Sequence, residues 1–397
     1  MPTYRVDVQP DVLVWARTSI GMSVERAASR LEVDSVTLQI WEAGADELGQ
    51  PTLVQLRKMA KLYRRPLSAF YLDRAPEEAK ETLADFRLIS STEGRAWSPE
   101  LHETYRRVRM QREVAIELAA AADETLLPID ISISPSDSEE ILGSHVRSWL
   151  GVSLRDQLNW ENDYQALNAW IAAIERKGIL VAQSSGVTLQ EMRGFSISDQ
   201  PFPVIILNGY DTPRARIFTL LHELMHVLIH TSGLCDLNEA SRRHSRAESV
   251  EAFCNSVAAV ALLPAGAMKE ELDGLGVDRP IPWPDPELLR LANRYRVSRE
   301  VILRRMVTLD RATLEFYFQK LFQYSRLYES QRKRSRDSNS GGPGPAVMGL
   351  RNMGRRYTAD VIRAYGRRYI DAAELTEYLQ IKIDHIPKLL ELLDRGA

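Results

Sequence analysis

Phe218-Thr219-Leu220-Leu221-His222-Glu223-Leu224-Met225-His226-Val227-Leu228 is the stretch whose reading decides the fold. It is a His-Glu-x-x-His motif in an apolar run without Gly or Pro, and it predicts a helix buried on most sides. Residues four apart share a helical face, so the imidazoles of His222 and His226 can reach one ion. Glu223 is offset by one residue, close enough to hold a water at that ion. Two neutral nitrogen ligands, an open coordination position and a carboxylate base are what a zinc hydrolase needs. The competing reading is a core helix with two satisfied histidines, since buried imidazoles need partners in either case.

A zinc site also needs a third protein ligand. Ala247 to Leu263 reads as a second buried helix, ended by Pro264 and Gly266. Glu251 opens its apolar part, and Asn255 lies one turn further on the same face. The expected division is Glu251 as third ligand and Asn255 as hydrogen-bond partner of the far ring nitrogen of a ligating histidine. Glu248, His230, His244 and Asp236 are rival third ligands. His230 is more simply a helix-end residue, and His244 sits in a polar stretch. Cys254, on the same apolar helix, reads as a small buried hydrophobe.

Composition sets outer limits. The chain has 397 residues, enough for two or three domains, with 44% hydrophobic and 26% charged residues, ordinary for a globular protein. With 51 basic and 54 acidic residues the net charge is −3, so the chain as a whole is not a polybasic nucleic-acid binder. Two cysteines, Cys235 and Cys254, do not make a disulfide scaffold. The N-terminus lacks an apolar signal core, and the longest apolar stretch, Val257 to Leu263, is too short to span a bilayer. The expectation is a soluble cytoplasmic chain with no membrane partner.

Residues 1–74 predict a bundle of short helices. Asp11 to Thr18 is broken at Gly21. Ser23 caps Val24 to Leu31, Glu32 to Asp34 form a tight turn, and Ser35 to Glu42 stop at Gly44. Pro51-Thr52-Leu53 opens a fourth helix. This is a helix-turn-helix layout, with Ser35, Thr37 and Gln39 as candidate DNA contacts. The segment holds ten basic against nine acidic residues, and the recognition helix has no Lys or Arg, so few cations are on offer for phosphates. The alternative use of the same layout is dimerisation or docking of a protein partner.

Residues 76–125 read as charged helix and Leu127 to Pro135 as an extended entry to the next domain. Trp160 to Gly178 reads as an amphipathic helix. Ile179 to Ala182, Arg193 to Ser198 and Pro203 to Asn208 read as short strands. A strand beside a metal-binding helix can offer its backbone to an extended peptide, and Val204, Ile206 and Asn208 are the candidate substrate edge. Arg216 reads as a structural salt-bridge partner.

Phe218 to His226, then Glu251-Ala252-Phe253-Cys254-Asn255, then Leu262-Leu263-Pro264, resemble the ImmA/IrrE family of zinc metallopeptidases. Trp41-Glu42-Ala43-Gly44, Pro51 to Leu56 and Arg65 to Leu72 resemble the XRE-type helix-turn-helix often fused ahead of that peptidase. The resemblance covers residues 1–74 and roughly 140–325. It implies a bacterial regulator that cleaves a DNA-bound repressor, using one Zn2+. By position, His222, His226 and Glu251 match the zinc ligands and Glu223 the general base. Cys254 departs from the Ala that many members carry before the Asn. The implied fold is mainly α with a small β-sheet, an α+β zincin-like peptidase flanked by helical helix-turn-helix-type modules. The expected domains are 1–74 (helix-turn-helix), 75–135 (connector), 136–275 (peptidase), 276–328 (a second helix-turn-helix-like module), 329–346 (linker) and 347–397 (C-terminal helical module).

The linker, Arg332 to Pro345, is rich in Gly, Ser and Pro, which argues flexibility. Arg326 to Arg368 carry eleven basic residues against three acidic ones, the strongest electrostatic footprint in the sequence, read either as a nucleic-acid surface or as a solubilising hinge. The expected function is a zinc metallo-endopeptidase fused to a DNA-binding domain, acting on a repressor or partner protein in transcription regulation or stress response. The second reading is an XRE-type regulator or antitoxin that binds its promoter and a toxin partner. A third makes the zinc structural, but a structural site has no use for Glu223. A homodimer is compatible with each.

Overall fold

Short polar caps set the boundaries of the N-terminal helices. In the computed structural model, which describes residues 5–44, 50–76, 97–124, 126, 128–131, 133–134, 137–231, 243–276, 278–337 and 343–394, α1 spans Pro10–Thr18, α2 Val24–Leu31, α3 Ser35–Ala43 and α4 Leu53–Tyr63. Of residues 230, 231, 243–249 and 327–337 only the backbone is described. Ser23 accepts the N–H of Arg26, Asp34 that of Val36, and Thr52 with Gln55 closes a capping box at α4. Glu32 takes the left-handed conformation, at φ 59°, and turns the chain from α2 into α3 within three residues. Arg17 then ties α1 to α3: its Nε and Nη2 donate to Glu42 Oε1 and Oε2 at 2.6 and 2.7 Å, and its Nη1 to the Met22 carbonyl at 2.7 Å. Such a bidentate pair fixes two helices in one register. Leu13, Ile20, Leu38, Leu56, Met59 and Phe70 are fully buried between these elements.

Helix α5 spans Pro99–Ala121; the remainder of the predicted 76–125 helix, residues 77–96, lies outside the described residues. The chain divides into two compact units within α5: Met1–Met110 with Gly186–Glu191, and Gln111–Ser185 with Met192–Ala397.

The second unit begins with α6 (Glu139–Leu150), α7 (Leu154–Asn159) and α8 (Asp163–Glu175), followed by β1 (Leu180–Ser184), β2 (Gly194–Ile197) and β3 (Val204–Asn208). The helical course continues with α9 (Pro213–Thr231), α10 (Arg243–Leu262) and α11 (Ala265–Asp273), then α12 (Asp285–Tyr295), α13 (Arg299–Thr308) and α14 (Leu314–Asp337). It ends with α15 (Pro345–Met353), α16 (Arg355–Gly366), α17 (Ala372–Leu379) and α18 (Ile386–Asp394). The fold is α-rich α+β.

The sheet has the order β1-β3-β2, with β1 parallel and β2 antiparallel to β3. Val204, Ile206 and Asn208 therefore sit on the central strand and cannot form the substrate edge expected from sequence. All three are buried, and Asn208 uses its side chain locally, donating to the Met192 carbonyl at 2.7 Å and accepting from the Tyr210 N–H at 3.0 Å. The two edge strands among the described residues are β1 and β2, and β2 is the one whose Ser196 reaches Glu223 on α9.

Helices α9 and α10 form the centre of the larger core with α6 and α8. Close approach of α6 and α10 depends on Gly143, where an added Cβ would lie 2.4 Å from Val260 Cγ1 and 2.9 Å from the Ala261 N. The last carbonyls of α10, which have no partner inside their own helix, are taken up by buried side chains. Arg147 donates to Ala261 at 2.9 Å, Gln157 to Leu262 at 3.1 Å and Arg305 to Leu263 at 2.8 Å. These bonds hold the helix that carries Glu251.

Two expectations change here. Helix α14 runs to Asp337, so Arg332 to Asp337 are helical rather than linker. Arg216 is 2% exposed and donates to the side-chain oxygen of Gln183 at 2.7 Å, an amide rather than an acid. The C-terminal helices dock on the sheet: Gly354, at φ 81°, passes so close to β1 that a Cβ would lie 2.2 Å from the Val181 carbonyl oxygen. No single helix among the described residues is long and apolar enough to cross a membrane.

Candidate metal centre

An unbroken helical period over Pro213–Thr231 places His222 and His226 on one face of α9. Their Nε2 atoms lie 3.2 Å apart. From α10, Glu251 brings Oε2 to 3.2 Å from His222 Nε2 and Oε1 to 3.3 Å from His226 Nε2. A tetrahedral ion with bonds of about 2.0–2.1 Å holds its ligand atoms about 3.3–3.4 Å apart. The spacing of the three donors therefore fits one zinc-sized ion, and two imidazoles with one carboxylate is a catalytic rather than a structural donor set. These are the residues that can hold a metal among those described.

The electrostatics favour a cation. Burial lowers the pKa of His222, but hydrogen bonding to Glu251, the charges of Glu223 and Glu251, and Asn255 together outweigh it and raise the pKa. Burial pushes the Glu251 carboxyl up, yet hydrogen bonds from His222 and His226 and their charges hold it well below the usual carboxylate range. Asn255, one turn along from Glu251, adds to the rise at His222, but the far ring nitrogen of His222, Nδ1, is buried without a hydrogen-bond partner among the described residues, so the expected bond between it and Asn255 is not formed. Glu223 is 9% exposed and accepts a hydrogen bond from Ser196 Oγ at 2.9 Å.

Two neighbours of the centre escape a reading of the sequence. Ser196 comes from β2, whose Gly194 and Ser196 face α9; a Cβ at Gly194 would lie 2.5 Å from Thr219 Cγ2 and 3.5 Å from Glu223 Cγ. Cys254 is fully buried with its Sγ 3.8 Å from Nδ1 of His226, so it stands at the far nitrogen of that ring and not merely in the core. No sequence spacing marks Ser196, whereas Cys254 lies four residues before Ala258 and three after Glu251 on a face already singled out. The rival ligands Glu248, His230 and His244 have no described side chains, and Asp236 lies outside the described residues. Ser35 and Thr37 are half-buried and Gln39 is exposed, all on α3 of the N-terminal unit.

Residues 174–307 match the peptidase family M78, described as the IrrE N-terminal-like domain. This part of the chain is IrrE-like. The IrrE-like segment runs from the end of α8 through α13 and includes the three strands, both histidines, Glu223, Glu251 and Asn255. Neither the N-terminal four-helix bundle nor the helices after α13 lie in it. Among solved structures, a Mycobacterium tuberculosis transcriptional regulator is similar at 19% identity with a TM-score of 0.31, over 44% of this chain and 48% of that one. The match thus spans about half the length of that regulator. No curated protein matches the chain.

Proposed function

We propose that this chain is a zinc-dependent metallo-endopeptidase fused to a DNA-binding domain, a regulator that cleaves a transcriptional repressor or another partner protein. The observation that carries the reading is the convergence of His222, His226 and Glu251 at 3.2–3.3 Å beside the buried Glu223. The three side chains would hold the ion, and zinc when bound supplies Lewis acidity for a carbonyl and for water. Glu223 takes the proton of the attacking water and returns it to the leaving amine. Ser196, donating to Glu223 Oε2, sets the direction of that carboxylate. Asn255 favours the charged form of His222 from one turn along α10. The outer edge of β2, whose Ser196 already touches Glu223, replaces β3 as the strand that pairs with an extended peptide.

The separate N-terminal unit, with its α2-turn-α3 arrangement, supports a second reading. There the chain works chiefly as an XRE-type regulator or antitoxin, and cleavage is secondary. Glu223→Gln separates the two. Co-produced with a candidate repressor and followed by mass spectrometry, the wild type should give two repressor fragments and E223Q none, with zinc content unchanged. Equal fragmentation by both proteins would sink the peptidase reading.

A further inference from the structure

The N-terminal unit contains a basic cleft that its recognition helix does not line. Arg26 and Arg30 on α2 and Lys58, Lys61 and Arg64 at the end of α4 surround a concavity of about 350 Å³. Its lining also includes the apolar Met22, Leu31, Leu62 and Pro99. Lys58 pairs with Glu32 at 3.0 Å and Arg64 with Glu103 at 3.4 Å. Arg26, Arg30 and Lys61 have no acidic partner within ion-pair distance among the described residues. Cations at one helix C-terminus are ordinary. Here two helices bring them to the same hollow, beside apolar side chains that do little to screen their mutual repulsion. The hollow is thus electrostatically prepared for an anion.

We infer that this cleft binds a compact diphosphate-bearing ligand. Glu32 and Glu100 lie on its lining and Glu103 pairs with Arg64, so the five cations keep an excess of two positive charges. A diphosphate ester offsets that excess, since it carries about three negative charges near neutral pH, because its last phosphate proton titrates near 6. Arginine forks and lysine ammonium groups are the donors that phosphate oxygens take. The volume lies at the lower end of the range for small-molecule sites. A duplex is convex and is met by side chains that protrude over a broad face, and α3 presents there Val36 and Ile40, 60% and 40% exposed, rather than cations. The cleft therefore suits a small effector of the regulator better than a DNA backbone. A nucleoside could rest on the apolar part of the lining, with Glu32 or Glu100 accepting from its hydroxyls.

Isothermal titration of the full chain with ADP and with inorganic pyrophosphate tests this, alongside the variant Arg30→Glu/Lys61→Glu and a mixed-sequence duplex. Both residues are exposed and outside every ion pair described, so the variant should keep the wild-type unfolding midpoint and zinc content. Saturable binding at one site per chain, with a Kd below about 1 mM and at least about tenfold weaker in the variant, is the expected result. Tighter binding of ADP than of pyrophosphate assigns a nucleoside to the site; equal affinity assigns the diphosphate group alone. No saturable binding of either anion, or the same affinity in the variant, overturns the inference. Loss of duplex binding in a variant whose wild type ignores both anions also overturns it, and makes the cleft a DNA-backbone contact.

Discussion

Replacing Glu175 by Gln tests how the C-terminal helices are held on the sheet. Glu175 ends α8 and is 7% exposed. Its Oε1 accepts the N–H of Arg356 at 3.2 Å, at the first turn of α16, and Arg356 Nη1 donates to the Glu175 carbonyl at 2.7 Å. Burial outweighs these attractions and lifts the carboxyl from 4.5 to about 7. An acid raised in the folded state binds its proton more tightly there than in the unfolded chain. Its contribution is therefore fully present below the unfolded value near 4.5 and is lost as pH climbs through about 7. At about 1.4 kcal/mol per pKa unit, the loss approaches about 3 kcal/mol. Gln keeps an acceptor for the Arg356 N–H but cannot ionise. Urea unfolding of both proteins between pH 4.5 and 8 should show the wild type losing up to about 3 kcal/mol more than Glu175→Gln, with the variant the more stable at pH 8. A wild-type-minus-variant difference that stays flat across this window would mean that Glu175 is not held protonated in the folded chain.

Other perturbations reach the centre through packing and orientation. Gly143→Ala should cost about 1–3 kcal/mol in chemical denaturation, because the new methyl meets the backbone of Ala261 as well as Val260; an unchanged midpoint would mean that α6 and α10 are not so closely packed. Ser196→Ala should lower peptidase turnover on the order of tenfold while zinc content stays, since it removes only the hydrogen bond that aims Glu223; loss of zinc in that variant would point instead to a collapse of the centre.

Helices were the most legible part of the chain, and the reason is local. The apolar period around His222, the stop at Gly44 and the caps at Ser23 and Thr52 are each written within a few residues, and the helices form there. The three strands fall where alternation and turn residues place them. Strand order is different, because it depends on which segment a strand meets across the fold. Nothing near Val204 to Asn208 announces that β1 and β2 will flank it, so its central position cannot be read locally. Glu251 could be singled out as a carboxylate at the start of an apolar helix, but Ser196 could not, since its role exists only once β2 lies beside α9. The helical run from Arg332 to Asp337 was hidden by its charge and the Gly/Ser/Pro residues that follow. The Gln183 partner of Arg216 comes from a strand thirty-three positions away, beyond any local rule.

The most direct test of the account is elemental analysis of the purified protein, wild type beside Glu251→Ala. The wild type should carry about one zinc per chain and the variant none, since it loses one of three ligands while the helices stay in place. Wild-type protein that takes up no zinc after reconstitution, or a variant that retains a full equivalent, would contradict it.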